Sequence, residues 1–132
     1  MPANTSSDVP DASLALAARR PDVICQIPGN LTASAYPTLQ QAADRARLPI
    51  FAFQSAQADG GAVVVLGRDY HEAGMQSATL AVRVMRGERP GDIPFENVAK
   101  TRLVVNPAAA RRIGLTLPAS LVARADRVVG SR

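Results

Sequence analysis

The sequence predicts an α/β domain in which a parallel sheet lies between two layers of helices. Short apolar runs alternate with amphipathic helical runs along the chain, and this alternation indicates β-α-β units whose strands pair in parallel. A length of 132 residues with 47% hydrophobic residues is enough for one core and too short for two. We therefore expect a single three-layer, Rossmann-like domain over residues 1–132, with helices on both faces of the sheet.

Four apolar runs are the predicted strands, and turn residues separate them. The runs are Val23–Ile27, Ile50–Phe53, Ala62–Leu66 and Leu103–Val105. They are mostly apolar without alternation, as strands buried on both faces are. Pro28 and Gly29 end the first run, and residues 54–61 form a predicted loop before the third. Because aromatic residues make up only 4% of the chain and Trp is absent, we expect a core of Ala, Val, Leu and Ile.

Helical periodicity and end signals predict the helices between these strands. Ser7 or Asp8 is the expected N-cap of a first helix that has Pro10 in its first turn and ends near Arg20. The second helix has a predicted inner face made of Ala35, Leu39, Ala42, Ala43 and Ala46. The third helix is predicted over Tyr70–Arg86 with an inner face made of Gly74, Ala78, Ala81, Val82 and Met85.

The C-terminal part of the chain has its own helix signals. Gly87 is predicted to end the third helix. Asn106 is the expected N-cap of a short helix that Gly114 closes. A final amphipathic helix is predicted over Pro118–Val129.

The charge pattern argues against nucleic acid as a partner. The formal net charge is +4 and the sequence pI is about 10.2, but the basic residues are almost all Arg and are scattered along the chain. Nucleic-acid binders concentrate basic residues in a stripe that is interleaved with aromatic residues. We expect solvated helix faces here and no nucleic-acid interface.

The sequence lacks the residue patterns of a catalytic, metal or cofactor site. Cys25 is the only cysteine, so it forms neither an intrachain disulfide nor a thiolate cluster, and we expect it to be a small core residue. His71 is the only histidine, and the only lysine, Lys100, does not belong to a phosphate-binding loop. We therefore expect no enzyme activity, no metal and no cofactor.

The N-terminus and the hydropathy pattern give an expectation about location. No apolar run is long enough to span a bilayer. Residues 1–8 lack the basic start and apolar stretch of a signal peptide. As written, the chain would stay in the cytoplasm.

Loops at the carboxyl ends of the predicted strands are the candidate ligand site. In an open parallel sheet, ligands bind at that edge. Gly29, Asn30 and Thr32 follow the first strand at a helix start, where backbone N–H groups favour an anion such as a carboxylate. The equally weighted alternative is that Asn30 or Thr32 is only an N-cap.

Two further positions follow later strands. Gln54, Ser55 and Gln57 follow the second strand and can orient a small molecule, with an ordinary surface loop as the equal alternative. Tyr70 follows the third strand. It can stack on a ligand or cover the edge of the core, and the second interpretation is slightly favoured.

Five segments in order resemble one known family. They are Asp22–Thr32, Leu48–Ala52, Gly61–Gly74, Arg86–Pro94 and Leu103–Pro118. Together they are similar to segments of the ABC-transporter substrate-binding proteins of the tryptophan/tyrosine type. The resemblance covers nearly the whole chain from Ser7 onward.

The resemblance implies a fold, a function and a set of contacts. It implies the C-terminal lobe of a type I periplasmic-binding-protein fold, in an exported and often lipid-anchored protein of the periplasm or cell envelope. Such proteins close on a small solute or amino acid between two lobes and deliver it to an ABC permease. The matching positions imply ligand contacts from Asn30, Leu31, Thr32, Gln54 and Ser55. Many relatives carry Asp where Gln54 stands, so a neutral or anionic solute fits better here than an ammonium group.

Departures from the family leave alternatives open. The resemblance leads us to expect a C-terminal lobe without its N-terminal lobe, so residues 100–132 are expected to pack toward the missing lobe or a partner, and an exposed interlobe face predicts a homodimer or poor solubility. The alternative function is the effector-sensing domain of a transcription regulator, which shares this fold. A small flavodoxin-like enzyme or cofactor carrier is disfavoured, because the chain lacks a phosphate loop and an acid/base pair.

Overall fold

A computed structural model describes residues 2–98 and 100–130 and confirms an α/β fold with a sheet flanked by helices. Within these residues one sheet has the order β1-β2-β3-β4-β5. Its strands are β1 (Ile24–Cys25), β2 (Ile50–Ala52), β3 (Val64–Arg68), β4 (Thr101–Val105) and β5 (Arg127–Val128). The α-helices are α1 (Val9–Ala18), α2 (Asn30–Ser34), α3 (Tyr36–Ala46), α4 (Ala56–Asp59), α5 (Tyr70–Met85), α6 (Pro107–Arg112) and α7 (Ala119–Ala123). None of the helices in these residues is long and apolar enough to cross a membrane.

The sheet is parallel from β1 to β3, and β4 then runs in the opposite direction. Val65 of β3 lies opposite Val104, and Arg68 lies opposite Thr101, in an antiparallel ladder. The expectation of an all-parallel sheet is therefore wrong at β4. The physical reason is that the chain returns to the sheet where it left it: the Asp69 N–H donates to the Lys100 carbonyl O at 3.0 Å. Helix α5 and the segment after it are thus an excursion between two adjacent antiparallel strands, not a crossover.

One face of the sheet carries the main core. Side chains from β1, β2, β3 and β4, including Ile50, Val65 and Val104, pack with Leu39 and Ala43 of α3. The predicted inner face of this helix is confirmed at its centre, since Leu39, Ala42 and Ala43 are buried, whereas Ala46 is exposed. Pro37 lies in the first turn of α3, and Arg47 ends it in the left-handed conformation with a φ of 54°.

The predicted inner face of α5 is wrong. Gly74, Ala78, Ala81, Val82 and Met85 are all exposed, and Met85 is 86% exposed. Periodicity identifies which residues share an apolar face, but it does not say whether the chain itself covers that face. Nothing in residues 2–98 and 100–130 does so.

The opposite, more polar face of α5 packs against the segment that follows the helix. Arg83 Nε donates to Glu88 Oε2 at 2.7 Å, and Gln76 Nε2 donates to Glu96 Oε2 at 3.0 Å. The Arg83 guanidinium lowers the pKa of the Glu88 carboxyl group. These two contacts bind α5 to the segment that follows it, and the apolar face of the helix remains exposed to solvent.

The C-terminal segment also differs from its prediction. The helix expected over Pro118–Val129 is limited to α7, and the chain then turns into β5 beside β4. Asp126 makes this turn, because its backbone N–H donates to the Leu103 carbonyl O and its Oδ2 accepts from the Leu103 N–H, both within 2.9 Å. Val128 and Val129 follow Arg127, and such β-branched residues suit a strand better than a helix. The expected contact of residues 100–132 with another lobe stays a prediction, and Ser131 and Arg132 lie outside the described residues.

Several end signals are confirmed at the level of single atoms. Asn106 Oδ1 accepts from the Ala109 N–H at 2.8 Å, which caps α6, and Gly114 follows that helix with a φ of 81°. Gly87 follows α5 with a φ of 97°. Asp8 occupies the N-cap position of α1, but its carboxylate accepts from the Thr5 N–H at 2.8 Å instead of capping the helix.

The expectation that Cys25 is a core residue is wrong. Cys25 is exposed, because side chains alternate along a strand and Cys25 points to the opposite face of the sheet from its buried neighbours Ile24 and Gln26. The unexpected core residue is Gln26, which is 8% exposed and whose amide N and O have no hydrogen-bond partner within the described residues.

Gln26→Leu is expected to stabilise the chain. A buried amide without partners costs about 1–3 kcal/mol, and a leucine of similar length removes that cost. The free energy of unfolding from urea titration should rise by about that amount. Gln41→Leu on the exposed side of α3 is the matched control and should change it by less than about 0.5 kcal/mol. A loss of stability in Gln26→Leu would show that the amide is satisfied in solution.

Gly67 of β3 lets the chain after β2 lie directly on the sheet. A Cβ at this position would stand 1.9 Å from the Phe53 carbonyl O, a backbone atom that cannot move alone. Gly67→Ala must therefore shift residues 53–54, and we expect a loss of about 1–3 kcal/mol in the free energy of unfolding. Gly74→Ala, where nothing lies within 4 Å of the added Cβ, is the control and should be neutral or slightly stabilising.

Candidate functional site

The carboxyl ends of β2 and β3 border an open depression of about 420 Å³. These ends lie at the same edge because the two strands are parallel. The depression is lined by Gln54, Ser55, Ala56, Arg68, Asp69, Tyr70, His71 and Arg102. Three of the sequence-predicted site residues, Gln54, Ser55 and Tyr70, are thus brought together.

Residues 54–57 form one wall of the depression, and the buried side chain of Gln57 supports this wall from the interior of the protein. Its Oε1 accepts from the Gln54 N–H at 2.9 Å, its own N–H donates to the Gln54 carbonyl O at 2.8 Å, and its side chain is buried. These bonds fix the backbone that presents Gln54 and Ser55. Gln57 therefore supports the wall and does not present its amide to the depression.

Asp69 joins three elements at the floor of the depression. It is 6% exposed. Its Oδ2 accepts from Arg102 Nε at 2.7 Å, and its Oδ1 accepts from the N–H groups of His71 and Glu72 at 3.1 and 3.3 Å. These bonds cap α5 and tie it to β4. They lower the pKa of Asp69, with the Arg102 hydrogen bond as the largest cause.

The depression carries more positive than negative charge. Two guanidinium groups, Arg68 and Arg102, line it together with one carboxylate, Asp69. Asp69 is already bonded to Arg102 and to the start of α5, whereas Arg68 makes no ion pair with any described residue. The arrangement favours an anionic group near Arg68 and offers no unengaged carboxylate to an ammonium group.

The sequence analysis missed both arginines, for different reasons. Arg68 is the last residue of β3, so the strand-end argument that selected Tyr70 also applies to it. Arg102 reaches the site only because β4 is antiparallel to β3 and places it opposite Gly67. No local signal in the sequence gives that register.

Tyr70 is the first residue of α5 and is 68% exposed. The interpretation that it covers the edge of the core is therefore wrong. Its ring stands at the depression beside His71, which is also exposed. This leaves an aromatic surface free to contact a ligand.

The loop after β1 lies apart from these residues. Gly29, Asn30 and Leu31 are not among the residues that line the depression, and Thr32 lines a different cavity beside α1. Gly29 precedes α2 with an extended φ of −177°, and there is room for a Cβ, so the position does not require glycine. The N-cap alternative for Asn30 and Thr32 is wrong, because both lie inside α2 and the Thr32 hydroxyl donates back to the Gly29 carbonyl O at 3.3 Å.

Within residues 2–98 and 100–130, no three His, Cys, Asp or Glu side chains come together in a way that could hold a metal ion. The polar groups of the depression are amides, a hydroxyl, a phenol and guanidiniums. Such groups orient a ligand by hydrogen bonding and charge.

Acid should weaken the link between α5 and the sheet through Asp69. A lowered pKa means that ionised Asp69 stabilises the folded state; this contribution is complete above the ordinary aspartate pKa of about 3.9 and is lost as pH falls toward the folded value. The urea midpoint of the parent should therefore drop between pH 6 and pH 3 by more than that of Asp69→Asn. Asp92→Asn, at an exposed position outside the site, is the control. Equal slopes for the parent and Asp69→Asn would contradict the role of the carboxylate.

Comparisons with solved structures agree with this architecture. A conserved domain protein from Vibrio cholerae matches with a TM-score of 0.87 and 33% identity over 96% of this chain and 42% of its own. An ABC domain in complex with L-Trp from Streptococcus pneumoniae matches with a TM-score of 0.87 over 96% of this chain and 43% of its own, at 23% identity, which shows the fold alone. A ligand-free, open substrate-binding protein with adhesive properties from Clostridium difficile matches with a TM-score of 0.69 and 25% identity over 98% and 43%.

Sequence comparisons identify the family. A tyrosine-binding protein of Clostridioides difficile (strain R20291) is 31% identical over 103 residues, which are 78% of this chain and 30% of that protein. The chain thus spans less than half the length of each of these relatives. The family model described as "ABC transporter substrate binding protein" matches residues 1–129. On this match, and with the fold in agreement, the chain belongs to the ABC transporter substrate-binding protein family.

Proposed function

We propose that this chain forms one wall of the solute cleft of an ABC importer's substrate-binding protein. In this proposal the depression at Gln54, Ser55, Arg68 and Tyr70 takes the carboxylate end of a small organic solute or amino acid. The family membership supports solute binding over catalysis. The single observation that carries the ligand class is the excess positive charge at Arg68 and Arg102 over Asp69.

Arg68 is the residue proposed to meet the carboxylate. It ends β3, lines the depression and makes no ion pair with the described residues. A guanidinium presents parallel N–H groups that match a carboxylate. Gln54 and Ser55 stand on the neighbouring wall and add neutral donors. Arg102 contributes charge, but its Nε is engaged with Asp69.

Tyr70 is proposed to contact the body of the solute. Its exposed ring borders the same depression as Arg68, so a ligand can reach both. The relatives whose names mention Tyr and L-Trp make an aromatic amino acid the first ligand to test. Because Asp69 is committed to Arg102 and α5, we propose that the carboxylate contributes more to binding at this wall than the ammonium group does.

The loop Gly29–Thr32 is proposed as a second contact element. It follows β1, whose carboxyl end lies at the same edge of the sheet as that of β2. Asn30 is exposed at the first position of α2. In a closed cleft it would reach a solute that extends beyond the depression.

Helix α5 is proposed to connect this wall to a second lobe. Its exposed apolar face is made of Gly74, Ala78, Ala81, Val82 and Met85. These residues are contiguous on one side of the helix and not scattered, and such a patch favours burial against another α/β lobe. Closure of two lobes around a solute is a hinge motion that the ligand stabilises. Delivery to an ABC permease at the cell envelope completes the proposed role, and a homodimer through this α5 face is the competing arrangement.

A ligand series separates the proposed carboxylate contact from the alternatives. L-Tryptophan, indole-3-propionate without the ammonium group and tryptamine without the carboxylate share one ring system. Titrated against the ¹⁵N-labelled chain, the first two should shift the amide signals of residues 54–56 and 68–71, and tryptamine should not. Stronger shifts with tryptamine would contradict the charge argument, and shifts confined to other surfaces would contradict the site.

Arg68→Gln is expected to weaken the binding of indole-3-propionate about tenfold. Loss of a hydrogen bond to a charged group costs about 1.5–3 kcal/mol when it is shielded from water, and the low end applies to this open depression. Arg112→Gln on α6, which does not line the depression, keeps the net charge change the same and should leave the affinity unchanged. The two affinities are measured by NMR titration. Equal weakening in both variants would indicate attraction by net charge and not a contact at Arg68.

A further inference from the structure

We propose that a buried hydrogen-bond network behind the wall formed by residues 54–57 holds Gln54 and Ser55 in their binding positions before a solute arrives. Four buried polar residues form this network, here called the α4 network: Tyr36, Gln40, Gln57 and Asn106. None of its members lines the depression, so they are positioning residues. The inference rests on the proposed function and adds residues that determine the affinity of that site.

Helix α4 depends on bonds from other parts of the chain. It has only four residues, Ala56–Asp59, and a helix of about one turn is not stable alone. The Gln57 carbonyl O accepts from the Tyr36 hydroxyl at 3.3 Å. The Ala58 carbonyl O accepts from Asn106 Nδ2 at 2.7 Å. The donors belong to α3 and to the residue before α6, so α4 is fixed from two sides.

Both donors are themselves oriented by further bonds. The Tyr36 hydroxyl also donates to Gln40 Oε1 at 2.6 Å, and Gln40 Nε2 donates to Asp44 Oδ1 at 2.9 Å. Asn106 Oδ1 accepts from the Ala109 N–H at 2.8 Å, and this bond sets the direction of Nδ2. Burial raises the pKa of the Tyr36 phenol and the Asp44 carboxylate raises it further, so the hydroxyl remains a donor even in alkaline solution.

The turn after α4 lies directly on the side chains of the α4 network. A Cβ added at Gly60 would stand 3.1 Å from Tyr36 Cε1, and one added at Gly61 would stand 2.9 Å from Gln40 Cδ. Such close packing leaves little room for the turn to shift toward α3. Packing therefore adds to the hydrogen bonds in fixing α4.

Gln57 connects α4 to the wall, and its side chain does so at a cost in stability. Its Oε1 accepts from the Gln54 N–H at 2.9 Å, and this bond fixes the backbone that leads to Ser55. Its Nε2, by contrast, is buried without a partner within the described residues. Most buried side-chain polar atoms in native proteins have a partner. A side chain that fixes the wall and leaves a donor unsatisfied fits a residue that serves binding more than stability.

Two conservative variants test the inference by comparing affinity with stability. Tyr36→Phe removes only the hydroxyl and should weaken the binding of indole-3-propionate about three- to tenfold, because one hydrogen bond behind the wall is lost. Gln57→Met keeps the length of the side chain and removes both the acceptor and the unpartnered donor. It should weaken binding to a similar extent, while its urea midpoint stays unchanged or rises. The control is Ile24→Val, buried in β1 outside the α4 network, which should lower the urea midpoint but keep the affinity within about twofold of the parent.

A second measurement needs no solute and follows the wall itself. Hydrogen exchange of the Gln54 amide in the free chain should become about tenfold faster in Gln57→Met, with the Val65 amide as the internal reference. If the parent binds and both variants keep its affinity, or if Ile24→Val loses as much affinity as Tyr36→Phe, the positioning role is overturned and the proposed function stands. If the parent binds no member of the indole series, the proposed function fails and the Gln54 exchange decides: faster exchange supports the positioning role, and unchanged exchange overturns it.

Discussion

The hydrogen bonds of Asp69, which join the end of β3 to the start of β4, are the constraint on which the rest of this structure depends. Its backbone bonds to Lys100 and its carboxylate to Arg102, so the end of β3 and the start of β4 are held together. Because the chain returns to the point where it left, β4 must run antiparallel to β3. The same carboxylate caps α5, and this sets where the helix leaves the sheet. A single buried aspartate thus links the end of β3, the start of β4 and the start of α5, and it forms the floor of the depression.

The same interaction determines the electrostatics of the candidate site. An aspartate at a strand end could serve a ligand ammonium group, but here its acceptor capacity is used by Arg102, His71 and Glu72. These hydrogen bonds, that from Arg102 first, lower the pKa of the Asp69 carboxyl group. Arg68 remains as the charge that faces outward. The bonds that hold α5 in place therefore also leave the depression with more positive than negative charge available to a ligand.

The sequence predicted those features that depend on local chemistry. The alternation of strands and helices, the Asn106 cap and the glycines after α5 and α6 follow from nearby residues alone. The direction of β4, the register that brings in Arg102 and the exposure of Cys25 depend on contacts between distant segments. The face of α5 shows the limit most clearly: the periodicity correctly grouped Gly74, Ala78 and Met85 but could not tell that the chain leaves them uncovered. Of the candidate site, Gln54, Ser55 and Tyr70 could be predicted to lie near one another because strand ends are readable in the sequence, and they line one depression.

Solute and partner act on the same helix in the proposed receptor. Tyr70 is the first residue of α5 and borders the depression, while the apolar face of that helix begins one turn later at Gly74. A helix is stiff over 16 residues, so a ligand that orders its first turn also orders the apolar face. Burial of that face against a second lobe would in turn fix Tyr70 and the Asp69 cap. Two binding events that each order the same element favour one another. This coupling gives a physical reason why the proposed ligand contact, Tyr70, and the uncovered face lie on one helix.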